Sequence, residues 1–235
     1  MDGSDSSKIN THYEQFWSKR TSIKVYPTEF VVRTFLATYP NLHFPKPMPG
    51  ARVLDIGLGD GRNTVFLCDL GYDVSGTEIT QGIVDKAKER MASLGHKAEL
   101  KVGRNSSLPF DDQSFDCILA CHSCYYCDEG ESFSDNMAEY SRVLKDDGFL
   151  VASVANRSTF IFNGAEEIGD GSMRITNDPY GARVGYRLYA FSTTQEIAER
   201  LEPWFYNFSF GSATNDYYGI DERVFWCVCQ KKRLS

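Results

Sequence analysis

The stretch Val53-Leu54-Asp55-Ile56-Gly57-Leu58-Gly59-Asp60-Gly61-Arg62-Asn63 constrains the fold more than any other part of the chain. An apolar, β-type run ends in a Gly-x-Gly-x-Gly turn, and a helical pattern follows at once. Glycine lets the backbone turn sharply and lets a ligand approach it closely, because no Cβ stands in the way. The next acidic residue after an apolar run is Glu78. A carboxylate about 20 residues past such a turn lies at the end of the neighbouring strand, where it can accept the hydroxyls of a ribose. The segment 55–78 therefore reads as a site for a nucleoside-containing cofactor. A dinucleotide fingerprint needs Gly-x-Gly-x-x-Gly, with the pyrophosphate on the helix N-terminus; here the third glycine comes one residue early, at Gly61. Asp55, directly before the turn, would repel a pyrophosphate and suits a cofactor that carries an ammonium group and no phosphate.

This turn resembles motif I of the class I S-adenosylmethionine-dependent methyltransferases, and Glu78 resembles their ribose-binding acid. Leu108-Pro109-Phe110-Asp111-Asp112-Gln113-Ser114-Phe115-Asp116 resembles that family's approach to strand four. Tyr140-Ser141-Arg142-Val143-Leu144-Lys145-Asp146-Asp147-Gly148-Phe149-Leu150 resembles its junction into strand five. The resemblance covers roughly residues 50–155. It implies an α/β fold, doubly wound, with a seven-stranded mostly parallel sheet, helices on both faces and the last strand antiparallel. It also implies S-adenosyl-L-methionine as cofactor, with Asp55 orienting the glycine turn and the cofactor's amino-acid end, Gly57 and Gly59 allowing close approach, and Glu78, followed by Ile79, at the ribose. The family often carries an acid before Leu-Pro-Phe that accepts the adenine amino group. Gly103-Arg104-Asn105-Ser106-Ser107 has none, which leaves Asn105 or Ser106 as acceptors there.

Strand-like segments alternate with helical ones: strands at about 52–56, 73–78, 98–102, 116–120 and 149–154, and helices at about 63–70, after Thr80, and through Met137, Tyr140 and Leu144. Such alternation predicts a parallel sheet covered on both faces. Ligands in such sheets bind outside the carboxyl ends of the strands, which brings Gly57, Gly59, Glu78, Asn105, Cys121 and His122 to one crevice. Residues 8–40 read as largely helical, and the prolines of Phe44-Pro45-Lys46-Pro47-Met48-Pro49-Gly50 end that segment. The chain thus divides into a tail and helical cap at 1–49, with 1–7 as a frayed tail, and a domain at 50–235. Residues 156–190 interrupt the alternation, being rich in Gly, Asn, Asp, Tyr and Arg without a long period, and read as a lid insertion. Ser192–Leu201 reads as a helix with Thr193 and Glu196 at capping-box spacing; Trp204–Phe210 and Val224–Cys229 read as closing strands.

The cap and the lid carry aromatics alongside polar groups, a composition suited to a small-molecule pocket. Tyr13 and Cys121 are candidate cofactor contacts, and Trp17, His122, Tyr125 and Tyr186 are candidate substrate contacts. His122 is a candidate general base, with a pocket-shaping role favoured for it. Asp178, Asp216 and Asp221 suit a cationic or amine acceptor. Asn177-Asp178-Pro179-Tyr180 lacks the second proline of an amino-methyltransferase motif and reads as a turn.

The net charge of −7 argues against a nucleic-acid partner, which needs Lys and Arg to neutralise phosphates. No apolar run reaches the ~20 residues of a membrane span. Seven cysteines with no secretory leader predict reduced thiols and a cytoplasmic setting. Cys121-x-x-Cys124-x-x-Cys127 has metal-site spacing but no fourth ligand nearby, so no metal is expected. The reading is a methyltransferase acting on a small-molecule acceptor. Its alternatives are a protein or nucleic-acid methyltransferase and a non-catalytic S-adenosylmethionine-binding regulatory protein. The oligomeric state is left open.

Overall fold

The structure, a computed structural model, describes residues 4–19 and 24–233. In chain order its elements are α1 (Ser4–Ser18), α2 (Glu29–Leu36), β1 (Arg52–Ile56), α3 (Arg62–Asp69), β2 (Asp73–Glu78), α4 (Gln81–Ser93), β3 (Glu99–Val102), β4 (Phe115–Cys121), β5 (Tyr126–Cys127), α5 (Phe133–Val143), β6 (Leu144–Ala155), β7 (Glu166–Glu167), β8 (Ser172–Arg174), β9 (Arg187–Tyr189), α6 (Thr194–Leu201), β10 (Phe205–Asp216) and β11 (Asp221–Lys231).

Seven strands form one sheet in the order β3-β2-β1-β4-β6-β11-β10. The first five are parallel, and β11 runs antiparallel to both β6 and β10. Val53, Leu54, Ile118, Leu119, Leu150 and Val151 are all buried, because helices cover both faces. One apolar cluster joins the sheet to α5, α6 and the lid, and another joins its opposite face to α2 through Phe30, Val31 and Phe35. From β1 the chain winds outward to β2 and β3, then returns through β4 to β6 on the other side. The reversal opens a crevice above the carboxyl ends of β1 and β4.

Local signals act where the sequence places them. Thr80 caps α4 by accepting the Ile83 N–H at 3.3 Å, and Thr193 caps α6 by accepting the Glu196 N–H at 3.1 Å. The Glu196 carboxylate reaches back to the Ser192 N–H at 2.8 Å, one residue beyond the capping-box partner.

Three expectations are corrected. The helical reading of 8–40 resolves into two helices: α1 begins at Ser4, inside the expected tail, and an extended stretch separates it from α2. The parts of those readings at 1–3 and 20–23 lie outside the described residues. Leu144, expected on a helix, opens β6 by pairing with Phe115. The closing strands run far past Phe210, to Asp216, because the distal half of the β10–β11 hairpin lies largely exposed beyond the end of β6 and carries no apolar alternation. The expected lid is ordered. Its strands β7, β8 and β9 join β5 in a second, antiparallel sheet in the order β5-β9-β8-β7. Strands of two or three residues leave no readable period, so this sheet was not visible in the sequence.

Candidate active site

Beneath the crevice the glycine turn is held from both sides. Gly57 has φ +69°, and a Cβ there would meet the Ser123 Cβ at 2.6 Å. Gly59 has φ +56°, and a Cβ there would strike the Trp17 ring of α1 at 2.7 Å. Glycine is therefore required at both positions by backbone conformation and by space. Asp55 is 1% exposed and accepts the Thr64 hydroxyl at 2.7 Å. Burial pushes its pKa up to about 7, against the Thr64 bond, and the Asp60 charge adds to the rise. It braces the turn from below and lines neither of the cavities described next.

A cavity opens over the end of β2, lined by Tyr13, Gly57, Glu78, Ile79, Asn105, His122, Asp128 and Tyr186 among others. Glu78, 2% exposed, accepts the Gly59 N–H at 3.0 Å on Oε1 and the Ile79 N–H at 2.8 Å on Oε2. Each oxygen keeps a further lone pair for a hydroxyl. Burial raises the Glu78 pKa to about 7; the two backbone bonds oppose that rise and Asp55 adds to it.

Asn105 stands on the same cavity wall and is also engaged within the protein. Its amide donates to the Ser123 and Tyr126 carbonyls, each at 2.9 Å, and its carbonyl accepts the Tyr140 hydroxyl at 2.7 Å. It fastens the loop after β4 to α5, and both amide hydrogens are committed there. Ser106 stands in a turn closed by reciprocal Arg104–Ser107 backbone bonds of 3.1 Å, off the cavity wall. Asp128, engaged by Arg104 at 2.6 Å, places a carboxylate on that wall instead.

A second cavity adjoins the first. Tyr13, Gly57, His122 and Tyr126 line both. Phe16 and Trp17 of α1, Phe160 and Arg183 of the lid, Tyr125, Cys121, and Glu222 of β11 belong to the second alone. Tyr186, expected at the substrate, lines the first, packed edge-on against Tyr13 and Tyr126 with its hydroxyl on Asn10 at 3.1 Å. Cys121, expected at the cofactor, faces the second, and burial raises its thiol to about 11, so it stays protonated.

His122 has φ +56°, and its backbone N–H donates to the Ser153 hydroxyl at 2.9 Å. Burial, with help from the Arg183 charge, lowers its pKa to about 4. The imidazole is therefore neutral at pH 7, and its weak basicity suits a wall better than a proton acceptor. The acids expected to attract a cation are occupied. Asp178 accepts N–H groups of Tyr180, Ala182 and Arg183 at 2.9–3.1 Å. Asp216 closes the hairpin turn on Gly219, and Asp221 pairs with Arg223. Arg183, Glu222 and the Asp60–Arg62 pair supply the charge in the second cavity, and none was foreseen. Among the described residues no group of three or more His, Cys, Asp or Glu is placed to hold a metal ion.

Residues 54–152 match the model of the family described as "Methyltransferase domain". Over this segment the chain is similar to methyltransferase domains. The match spans β1 into β6, the part of the chain that builds the glycine turn, Glu78 and the first cavity. Curated relatives include an uncharacterized methyltransferase, YodH, of Bacillus subtilis, 32% identical over 45% of this chain and 43% of its own. Another is a demethylmenaquinone methyltransferase of Renibacterium salmoninarum, 31% identical over 48% of this chain and 45% of its own. The chain thus spans under half the length of these relatives. Among solved structures, a SAM-dependent methyltransferase of Methanosarcina mazei aligns with TM-score 0.64 at 24% identity, over 85% of this chain and all of that one. A 1,6-didemethyltoxoflavin-N1-methyltransferase of Burkholderia thailandensis, solved with its substrate and S-adenosylhomocysteine, aligns with TM-score 0.63 at 17% identity, over 97% and 87%. These two show the shared fold. The roof of the second cavity, made by α1, the lid and β11, lies outside the methyltransferase-domain match.

The two buried acids set a pH dependence. Asp55 and Glu78 keep their protons to about pH 7 when folded, against 3.8 and 4.5 in the ordinary state. Folding therefore takes up protons in that window. Stability is full below the ordinary values and is lost as pH rises through 7. His122 works the other way, but only below its ordinary 6.5. Thermal unfolding without ligand is expected to give a higher Tm at about pH 6.5 than at about pH 8, with Glu78→Gln shrinking the difference. A Tm that climbs over that interval contradicts the assignment.

Proposed function

We propose that this chain is an S-adenosylmethionine-dependent methyltransferase acting on a small molecule. The observation that carries the reading is the meeting of two cavities at Gly57, Tyr13, His122 and Tyr126. The first cavity fits an adenosyl group: a buried carboxylate faces it with lone pairs to spare, and the Gly57 turn leaves no side chain in the way. Glu78 would hold the ribose, Ile79 would pack on the nucleoside, and Asp128 would take the place assigned to Asn105 at the base. When bound, S-adenosylmethionine supplies a methyl group already activated on a sulfonium. The protein's task is then to align acceptor and methyl and to exclude water, and alignment alone accounts for about 7–11 kcal/mol of barrier in well-oriented systems. Aromatic walls from Phe16, Trp17, Tyr125 and Phe160 suit an acceptor with a flat apolar body.

The demethylmenaquinone and didemethyltoxoflavin methyltransferases named above act on small molecules, which supports the same class here. The roofed second cavity favours an enzyme over a regulatory binder. The net charge of −7 favours a small molecule over a nucleic acid. Among the described residues no helix is long and apolar enough to cross a membrane, and we infer a cytoplasmic setting from the free cysteines. Calorimetric titration tests the cofactor: S-adenosylmethionine and S-adenosylhomocysteine should bind, and NAD and ATP should not. Tight NAD binding with no heat from S-adenosylhomocysteine would reject it.

A further inference from the structure

The second cavity carries two opposite charges that do not touch each other. Arg183, at the end of the lid loop, donates from Nε to the Tyr126 hydroxyl at 3.0 Å, and its Nη1 lies 3.5 Å from the Asp178 carboxylate. Its Nη2 has no described partner. Glu222 enters from β11, two residues before Val224, which pairs with Ala155 above the end of β6. It is half-buried, and among the described residues no hydrogen bond or ion pair reaches its carboxylate. A carboxylate partly withdrawn from water without a donor is poorly stabilised, and a charged pair held apart across a cavity is completed by a group that both can bind. The other charges on this wall, Asp60 and Arg62, already form a two-point pair with each other at 2.8 and 2.6 Å. His122 is the remaining titratable group that could take a proton, and it is a weak base here.

We propose that Arg183 and Glu222 bracket the acceptor's reacting group, so that the preferred substrates are flat molecules bearing a weakly acidic O–H or N–H. This rests on the methyltransferase reading above. The O–H or N–H proton passes to a Glu222 oxygen. The lone pair left on the acceptor atom forms the new bond to the methyl carbon of the sulfonium donor. The carbon–sulfur pair returns to sulfur, giving the thioether. Arg183 stabilises the negative charge that develops on the acceptor, and a guanidinium stays protonated throughout. Burial works against the Arg183 charge, but the neighbouring tyrosines and Asp178 outweigh it. Burial also raises the Glu222 pKa while Arg183 opposes the rise, so the carboxylate is a stronger base than a solvated one.

The test uses 4-nitrophenol, a flat O–H acid whose colour reports its ionisation, titrated against the full chain with and without saturating S-adenosylhomocysteine. The bracket predicts opposite displacements of the bound phenol's ionisation relative to wild type. Arg183→Met should raise its midpoint by about one pH unit, tenfold in the ionisation constant, and Glu222→Gln should lower it by about half a unit. Arg183→Lys, which keeps the charge, should stay near wild type and guards against a folding defect in the methionine variant. 4-Nitroanisole, with no proton to give, should bind about tenfold more weakly than 4-nitrophenol. Shifts of the same sign, no shift in either variant, equal binding of the two probes, or no binding of 4-nitrophenol would overturn the proposal. If S-adenosylhomocysteine itself does not bind, the methyltransferase reading fails, and the paired shifts measured without it still decide the bracket.

Discussion

Replacing Glu78 by alanine is expected to weaken S-adenosylhomocysteine binding by about 10- to 100-fold, the loss of about 1.5–3 kcal/mol from hydrogen bonds to a charged acceptor. Two effects add. The ribose loses its carboxylate, and the Gly59 N–H, held at 3.0 Å by Oε1, loses the partner that fixes the glycine turn. Glu78→Gln should fall between alanine and wild type, because its amide oxygen can still accept one of the two backbone N–H groups. The charge also sets the pH response: with a pKa near 7, the carboxylate ionises as pH rises, so wild-type affinity should tighten from pH 6 to about 8. Calorimetry at fixed ionic strength measures both effects. A Glu78→Ala protein that binds as wild type does would remove the residue from the site.

Asn105→Ala is expected to be the most damaging polar substitution, costing about 3 kcal/mol. It removes three hydrogen bonds, each worth about 1 kcal/mol, and leaves the Tyr140 hydroxyl without its acceptor, while the Tyr126 carbonyl keeps the Asn136 amide and the Ser123 carbonyl keeps the Tyr126 N–H. For a chain of this size that is a fall in Tm of about 6–12 °C. Tyr140→Phe removes one bond of the three and should cost about 1 kcal/mol. Thermal and urea unfolding of the two variants checks this. An Asn105→Ala protein within a degree of wild type would show that the loop after β4 is held by other contacts.

Asn105 also shows where reading the sequence succeeds and where it stops. The glycine turn, the acid at the end of β2 and the alternation of strands with helices were legible because each rests on local chemistry: a positive φ that wants glycine, an acid at a strand end, an apolar run between helical ones. Asn105 was read as a candidate acceptor for the base, yet its three partners come from 18 to 35 residues away, and spacing along the chain carries no trace of them. The same holds for the second cavity. Tyr13 and Trp17 were recognisable as aromatic candidates on a helix. Their neighbours Arg183 and Glu222 are single polar residues on a loop end and a strand, brought together only by the lid sheet and the long β10–β11 hairpin. Tyr186 and Cys121 line different cavities, Tyr186 the first and Cys121 the second, a division that spacing along the chain does not show.

The central claim is methyl transfer to a small molecule, and the most direct test is transfer itself. The purified chain is incubated with methyl-labelled S-adenosylmethionine and a metabolite extract, then separated by size and read by mass spectrometry. The account predicts label in one or a few small molecules, with S-adenosylhomocysteine formed in equal amount and both lost in Glu78→Ala. Label confined to protein or nucleic acid would contradict it.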